Sequence, residues 1–437
     1  MKKIIRAVFL LTLVIFLVAC SNTENTQEVD EYSDYIKLEH CYDYVMKTNV
    51  YEQLDSDWAY AKIADEFDHY FNGGGCTAVG KTTSNGLLIG RNMDLFITNK
   101  PSFIVRTDVE GLKKTFGLAY SYNRGEDYEL AKVHGVNPEL YKLIPFLQTD
   151  VLNEDGFYIE INMRYADYDE NGDSIFSCSG TNPGKFRINS FLLPQYLGSR
   201  CSTVDEAVAM ATNDLDIYTP MSESMDWNFC FMMADASGKY GIMEIAKNKV
   251  VFNEAIETDS ANMPLGACQA NYYITPEFNA EQRMKSGVGR VDYLRNLWGE
   301  IDSEQEMFVA MLGVSYFQNY LDYCQFDNRS EFIGIYDEDG EIFIGENTPD
   351  VLDGEKVVWD YEYVTNPDNQ EYVKAYMAWI NSRILTRRAD DTYKEIGQFW
   401  ESTYTMVVNP SQRTMFVRFN ENNKNMLYFK FDEWDNY

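Results

Sequence analysis

Histidine is scarce in this 437-residue chain: only His40, His69 and His134 occur. A serine–histidine or cysteine–histidine dyad needs an imidazole within reach of its nucleophile. His134, in Ala131-Lys132-Val133-His134-Gly135, has no adjoining acid to fix its tautomer. Metal-ligand spacing is also missing. The eight cysteines (Cys20, Cys41, Cys76, Cys178, Cys201, Cys230, Cys268 and Cys324) include no CxxC pair, so no metal centre is expected. An exported chain could pair some of them, but contexts such as Phe229-Cys230-Phe231 read as core packing, and no disulfide is assigned. Basic residues are outnumbered, 37 Lys and Arg against 69 Asp and Glu, for a net charge of −32. With no basic patch, nucleic acid is excluded as a partner, because its phosphates would repel this surface. No internal repeat occurs, and no apolar run reaches membrane-spanning length.

The chain does have a charged, then apolar, start. Lys2, Lys3 and Arg6 precede the run Ala7–Val18, which is too short to span a bilayer and reads as an export signal. Leu17-Val18-Ala19-Cys20 resembles a bacterial lipobox, which implies cleavage of residues 1–19 and lipidation of Cys20. The polar run Ser21–Thr26 then reads as a tether. The expected location is the extracytoplasmic face of a bacterial envelope, lipid-anchored. Apolar residues at helical spacing (Tyr35, Leu38, Tyr42, Val45, then Trp58, Ile63, Phe67) predict a helical segment over 35–72. It is either a propeptide or a permanently attached subdomain.

The chain is organised around Gly73-Gly74-Gly75-Cys76-Thr77-Ala78-Val79-Gly80 and the run that follows to Gly90-Arg91-Asn92-Met93-Asp94. Asn85-Gly86 is a two-residue hairpin signal, because tight primed turns need positive φ. That register sets Ser84 against Leu87 and Cys76 against about Leu95. A thiol, a cation (Arg91) and a carboxylate (Asp94) are thereby brought together. In strict alternation Cys76 and Arg91 share a face and Asp94 does not, so a bulge or a strand end is expected there. The three glycines free the backbone before Cys76 for a strained conformation.

These residues resemble the opening of the choloylglycine hydrolase family, N-terminal-nucleophile enzymes that include bile salt hydrolases and penicillin V acylases. In that family a cysteine is the first mature residue, its thiol the nucleophile and its α-amine the base. The resemblance therefore implies cleavage between Gly75 and Cys76, a signal and lipobox over 1–20, a tether and propeptide over 21–75, and a hydrolase domain over 76–437. Arg91 is then the cation beside the thiol, and Asp94 orients the α-amine. An amine with a pKa of about 7.7–8.0 needs no imidazole to act as base.

Further along, Asn153-Glu154-Asp155-Gly156 and the alternating strand Phe157–Met163 resemble the family's turn and the strand ending in an oxyanion-hole asparagine, which maps to Asn162. Asn271, in Cys268-Gln269-Ala270-Asn271, takes the place of an asparagine that contacts the reacting amide. The family's preceding threonine is replaced by Ala270. Thr181-Asn182-Pro183 copies the letters better but falls at the wrong point in the order, and reads as a plain turn. Arg290, after Ser286-Gly287-Val288-Gly289, matches a second active-site arginine.

Helices are predicted over 190–197, 207–212 (opened by a capping box at Thr203–Glu206), 290–312 and 367–387. Strands are predicted over 229–233, 240–245, 331–336, 400–408, 414–419 and 426–431. Segregated runs of strands and helices argue for α+β layers. The resemblance implies a four-layer αββα sandwich that hydrolyses linear N-acyl amides (conjugated bile salts, penicillin V or other N-acyl amines) without a cofactor. Acyl transfer on the same fold and a catalytically inactive binding lipoprotein are the alternatives. The partners are a small N-acyl amide and the membrane, with homo-oligomerisation left open.

Overall fold

The computed structural model of the protein describes residues 41–46, 74–95, 102–108, 111–120, 148–164, 167–172, 174–219, 228–258, 262–283, 285, 287–315, 401–419 and 426–436. Strands β1 (Cys41–Met46), β4 (Ser102–Thr107), β5 (Thr115–Tyr120), β6 (Gln148–Asn153), β7 (Tyr158–Arg164), β10 (Asn228–Ala234), β11 (Tyr240–Ala246) and β12 (Lys249–Glu254) form one sheet in that spatial order. The second sheet runs β13 (Cys268–Gln269), β2 (Gly74–Thr83), β3 (Gly86–Leu95), β14 (Glu401–Asn409), β15 (Thr414–Phe419) and β16 (Met426–Lys430). A separate parallel pair joins β8 (Phe186–Asn189) to β9 (Leu215–Tyr218).

The sheets face each other through β2 and β7, and helices cover their outer faces. Helices α1 (Leu193–Gly198) and α2 (Val204–Asn213) lie on the first sheet's side, α1 against β6 and β7 and α2 against β12 and β9. After α3 (Pro276–Glu281), helices α4 (Val288–Leu297) and α5 (Glu304–Leu312) cover the second sheet. There α4 rests on β2, and α5 rests on β3 and β14. The expected αββα sandwich is therefore the observed architecture. Strands such as β7, β10 and β11 are buried along their whole length because each lies between a helix layer and the other sheet. Contact between α5 and β3 is close enough that a Cβ at Gly90 would sit 2.6 Å from Met311 Cγ.

Local signals act where expected. Thr203 Oγ1 accepts from Glu206 N at 3.2 Å and opens α2 one turn earlier than Ala207, while Glu206 reaches back to Ser202 N at 2.7 Å. Pro194 is accommodated in the first turn of α1, after a 3₁₀ turn at Ser190–Leu192, where its missing N–H costs nothing.

Three expectations are corrected. The hairpin closes with Thr83 opposite Gly86, so the turn residues are Ser84 and Asn85, and Cys76 lies opposite Met93 rather than Leu95. Of Asn85 and Gly86 only Gly86 has positive φ, at 102°, which fits a type I turn followed by a left-handed glycine. The Thr83 hydroxyl ties the loop by accepting from Asn85 N and donating to Gly86 O. Gly74 and Gly75 are not a distorted lead-in: they continue the ladder, opposite Leu95 and Asp94. Finally, Cys41–Met46 falls in the segment expected to be helical and is a strand, parallel to β4. Tyr42, Tyr44 and Val45 favour strand, and β4 offers an open edge whose backbone groups need partners. The expected strand at 331–336, the helix at 367–387, and His134 lie outside the described residues.

Candidate active site

The β2–β3 hairpin places Cys76, Arg91 and Met93 on one face and Thr77, Asn92 and Asp94 on the other. No bulge in this ladder brings Asp94 round to the thiol. The irregularity sits in β14 instead, between Ser402 and Tyr404. The site is thus built on both faces of one hairpin, with Cys76 buried at its centre.

On the face toward the first sheet, Arg91 is fully enclosed. Its Nε lies 2.7 Å from Glu160 Oε2 and 3.2 Å from Asp150 Oδ1. Nη1 donates to Asn162 Oδ1 at 2.9 Å, and Nη2 to the Ile161 carbonyl at 2.7 Å. Because Asn162 Oδ1 faces the guanidinium, its Nδ2 points away; that buried donor has no partner among the described residues. The Cys76 thiol lies 3.5 Å from Met93 Sδ. Burial pushes the thiol above its ordinary pKa, while the positive charge of the Arg91 guanidinium pulls the other way.

On the opposite face, Arg290 of α4 reaches back to the hairpin. Its Nη1 donates to the Cys76 carbonyl oxygen at 3.1 Å, Asp94 Oδ2 at 3.1 Å and Thr77 Oγ1 at 2.5 Å, and its Nη2 donates to Asn271 Oδ1 at 2.7 Å. Gly287 makes this approach possible. It precedes α4 with φ of 80°, and a Cβ there would lie 2.5 Å from Arg290 Nη2.

Asn271 follows β13, which pairs with β2 at Cys268 and Gln269. Its Oδ1 accepts from Cys76 N at 3.2 Å, and its Nδ2 donates to the Met163 carbonyl at 2.9 Å, which fixes the amide's orientation. Asp94 also accepts from Ser402 Oγ at 2.5 Å. Burial pushes the Asp94 carboxyl up to about 7 against the opposing pull of Arg290 and Ser402.

All six residues singled out in the sequence for catalysis (Cys76, Arg91, Asp94, Asn162, Asn271 and Arg290) therefore gather round one residue, Cys76. Asn182 does not: it is exposed and donates to Asp216. Asp94 meets Cys76 through Arg290 rather than directly. A cavity of about 330 Å³ lined by Ala211, Leu215, Ile217 and Ile245 shares no residue with this site.

Sequence reasoning missed Asp150, Glu160, Gln269, Ser402 and Tyr404. Asp150 accepts from Tyr158 Oη at 2.8 Å and from Tyr404 Oη, while Glu160 accepts from Met232 N at 3.0 Å and from Gln269 Nε2. One signal was available: Glu160 and Asn162 interrupt the apolar strand Tyr158–Met163 two residues apart, so both face the same way. Chemically, the arrangement offers a thiol beside a cation, a spare amide donor and a buried carboxyl near one backbone nitrogen.

The family model described as linear amide C–N hydrolases, choloylglycine hydrolase family, matches residues 76–336. A search of the curated proteins finds no match. Among solved structures, a mutant conjugated bile acid hydrolase from Clostridium perfringens is similar at 14% identity, covering 82% of this chain and 93% of that one, with a TM-score of 0.39. The penicillin V acylase from Agrobacterium tumefaciens is similar at 12% identity, covering 82% of this chain and 87% of that one, with a TM-score of 0.37.

Proposed function

The chain belongs to the choloylglycine hydrolase family and is an amidase acting on linear amides; on that premise we propose that it works through Cys76, exposed as an N-terminal nucleophile by cleavage of its own Gly75–Cys76 bond. The observation that carries this reading is how Cys76 is held. Its N–H goes to Asn271 and its carbonyl to Arg290, and the charge of Arg91 favours its thiolate. The family match also opens on Cys76.

In the precursor the thiol adds to the Gly75 carbonyl. The C–N bond breaks, a thioester forms, and the Cys76 nitrogen leaves as an α-amine. Water then hydrolyses the thioester and frees the chain beginning at Cys76. In the mature enzyme the amine accepts the thiol proton. A thiol near 8.5 and an amine at about 7.7–8.0 are closely matched for this transfer, and Arg91 favours the thiolate.

The thiolate attacks the carbonyl of an N-acyl amide. Asn162 Nδ2 donates to the oxyanion, a position where one donor contributes about 2.7–4 kcal/mol to the transition state. Asn271 holds the scissile amide, and Asp94, itself held by Arg290, orients the α-amine. The leaving amine takes the proton from the α-ammonium, and water cleaves the acyl-enzyme. Conjugated bile salts, penicillin V and other N-acyl amino compounds are the substrate class.

The mature N-terminus tests this directly. Mass spectrometry should find a chain beginning Cys-Thr-Ala-Val, with hydrolysis of at least one acylated amine in a panel. A folded chain intact across Gly75–Cys76 that still hydrolyses the panel would overturn it. The signal and lipobox extend the proposal to place: Cys20 carries the lipid anchor on the outer face of a bacterial membrane, and after cleavage at Gly75 noncovalent contact with the anchored propeptide holds the enzyme there. Fractionation of Cys20→Ala cells should then find the protein in the medium, and membrane association unchanged from wild type would contradict the anchor.

A further inference from the structure

The buried carboxylate of Glu160 faces two parts of the site at once. Its Oε2 lies 2.7 Å from Arg91 Nε, while its Oε1 accepts from Gln269 Nε2 and, at 3.0 Å, from Met232 N. Gln269 is held on its other side, where Oε1 accepts from Cys230 Sγ at 2.8 Å and from Arg164 Nη2 at 3.2 Å. Gln269 is also a pairing residue of β13, two positions before Asn271.

We propose that Glu160 is the positioning residue of this active site, setting through Arg91 the nucleophile's cation and the oxyanion donor, and through Gln269 the strand that carries Asn271. The proposal rests on Cys76 being the nucleophile. Arg91 has one Nε–H, which hydrogen-bonds to Asp150 Oδ1 at 3.2 Å, while Glu160 Oε2 is the nearer countercharge at 2.7 Å. Held between these two carboxylates, the planar guanidinium keeps Nη1 on Asn162 Oδ1. That contact turns the Asn162 Nδ2 away from the guanidinium, a buried donor with no partner among the described residues. A carboxylate one bond shorter, or a neutral amide, would loosen the guanidinium on the Glu160 side and with it the amide.

Asp150 shares the guanidinium but not the link to Asn271. It takes the Nε–H bond at 3.2 Å and is engaged by Tyr158 and Tyr404, whereas Glu160 pairs with Nε at 2.7 Å and also holds Gln269. The charged and titratable groups facing Glu160 are Arg91 from β3, Asp150 from β6, Tyr158 from β7, Cys76 from β2 and, through Gln269, Cys230 from β10 and Arg164 from β7. Glu160 has a second effect through this cluster. Its charge opposes thiolate formation at Cys76, which Arg91 promotes.

Charge and reach can therefore be separated by two variants of the full chain. Glu160→Gln removes the charge and replaces an acceptor facing Arg91 Nε with an amide. Glu160→Asp keeps the charge and withdraws it. The readouts are the pH midpoint of Cys76 alkylation by iodoacetamide and kcat and KM on an active N-acyl amide, with melting temperature alongside.

Glu160→Gln should lower the alkylation midpoint, because Arg91 loses a countercharge, while kcat falls about ten- to hundredfold with KM little changed. Glu160→Asp should lower kcat with the midpoint near wild type. An unmoved midpoint in Glu160→Gln, or losses of kcat in both variants that merely track melting temperature, would overturn the positioning role. Alkylation of Cys76 in the wild type without loss of turnover would instead overturn the nucleophile on which it rests.

Discussion

The backbone N–H of Cys76 is held by the side-chain oxygen of Asn271, 3.2 Å away and 195 residues along the chain. The same oxygen accepts from Arg290 Nη2, which belongs to the guanidinium that also grips the Cys76 carbonyl. Cys76 is thus held at its backbone nitrogen, in the bond to Gly75, and at its carbonyl, in the bond to Thr77, before any cleavage has occurred. Preorganisation of this kind is worth most when the group that develops charge is already in place.

Replacement of Cys76 separates the two reactions it is proposed to perform. Cys76→Ala should abolish chain cleavage and amide hydrolysis together, since one thiol serves both. Cys76→Ser keeps a hydroxyl and should cleave slowly while losing most hydrolysis. Intact mass gives the first readout and turnover the second. Hydrolysis retained by Cys76→Ala would show that another nucleophile is at work.

Removal of the spare amide donor should act on the transition state alone. Asn162→Ala is expected to lower kcat about 10²–10³-fold with KM within a few-fold of wild type. Asn162→Asp should be at least as poor, because an ionised carboxylate accepts where a donor is required. Steady-state kinetics on cleaved, folded protein decide it, and a rise in KM with kcat unchanged would mean that Asn162 only binds substrate.

Asp94 makes stability depend on pH with a definite sign. Its carboxyl is raised to about 7 in the fold, so between about pH 4 and 7 the folded state holds a proton that the unfolded state releases. Stability from this group is complete below about pH 4 and falls as pH rises toward 7. Glu160, also pushed to about 7 by burial against the opposing pull of Arg91, adds in the same direction. Melting of uncleaved Cys76→Ala should rise on acidification from pH 7.5 to 5.5, and adding Asp94→Asn should remove part of that rise. Parallel curves with and without Asp94→Asn would refute the assignment.

Gly287 offers a test remote from the chemistry. A side chain there meets both a left-handed backbone and Arg290 Nη2, so Gly287→Ala should cost about 1–3 kcal/mol of stability. It should also reduce turnover, because Arg290 is the group displaced. Chemical denaturation and kcat are the measurements; a neutral substitution would mean that Arg290 has slack.

The hairpin and its chemistry were legible because local rules govern them. A turn signal and alternation set Cys76 and Arg91 on one face and Asp94 on the other, and the structure keeps that division although the register differs by two positions in its pairing. Apolar periodicity likewise located β10, β11 and the three C-terminal strands. Asn162, Asn271 and Arg290 were found by their order along the chain, because no local pattern distinguishes an amide that caps a strand from one that faces a thiol.

What only tertiary structure decided is how the two faces are joined. Asp94 reaches Cys76 through an arginine from α4, and Arg91 is held by carboxylates from β6 and β7, since only packing one sheet on the other brings those strands together. The strand at Cys41–Met46 belongs to the same class: its spacing favours a helix, and an open edge on β4 makes it a strand. Side-chain alternation is a property of one strand and can be read from it. A salt bridge between sheets is a property of their packing, and no single segment carries it.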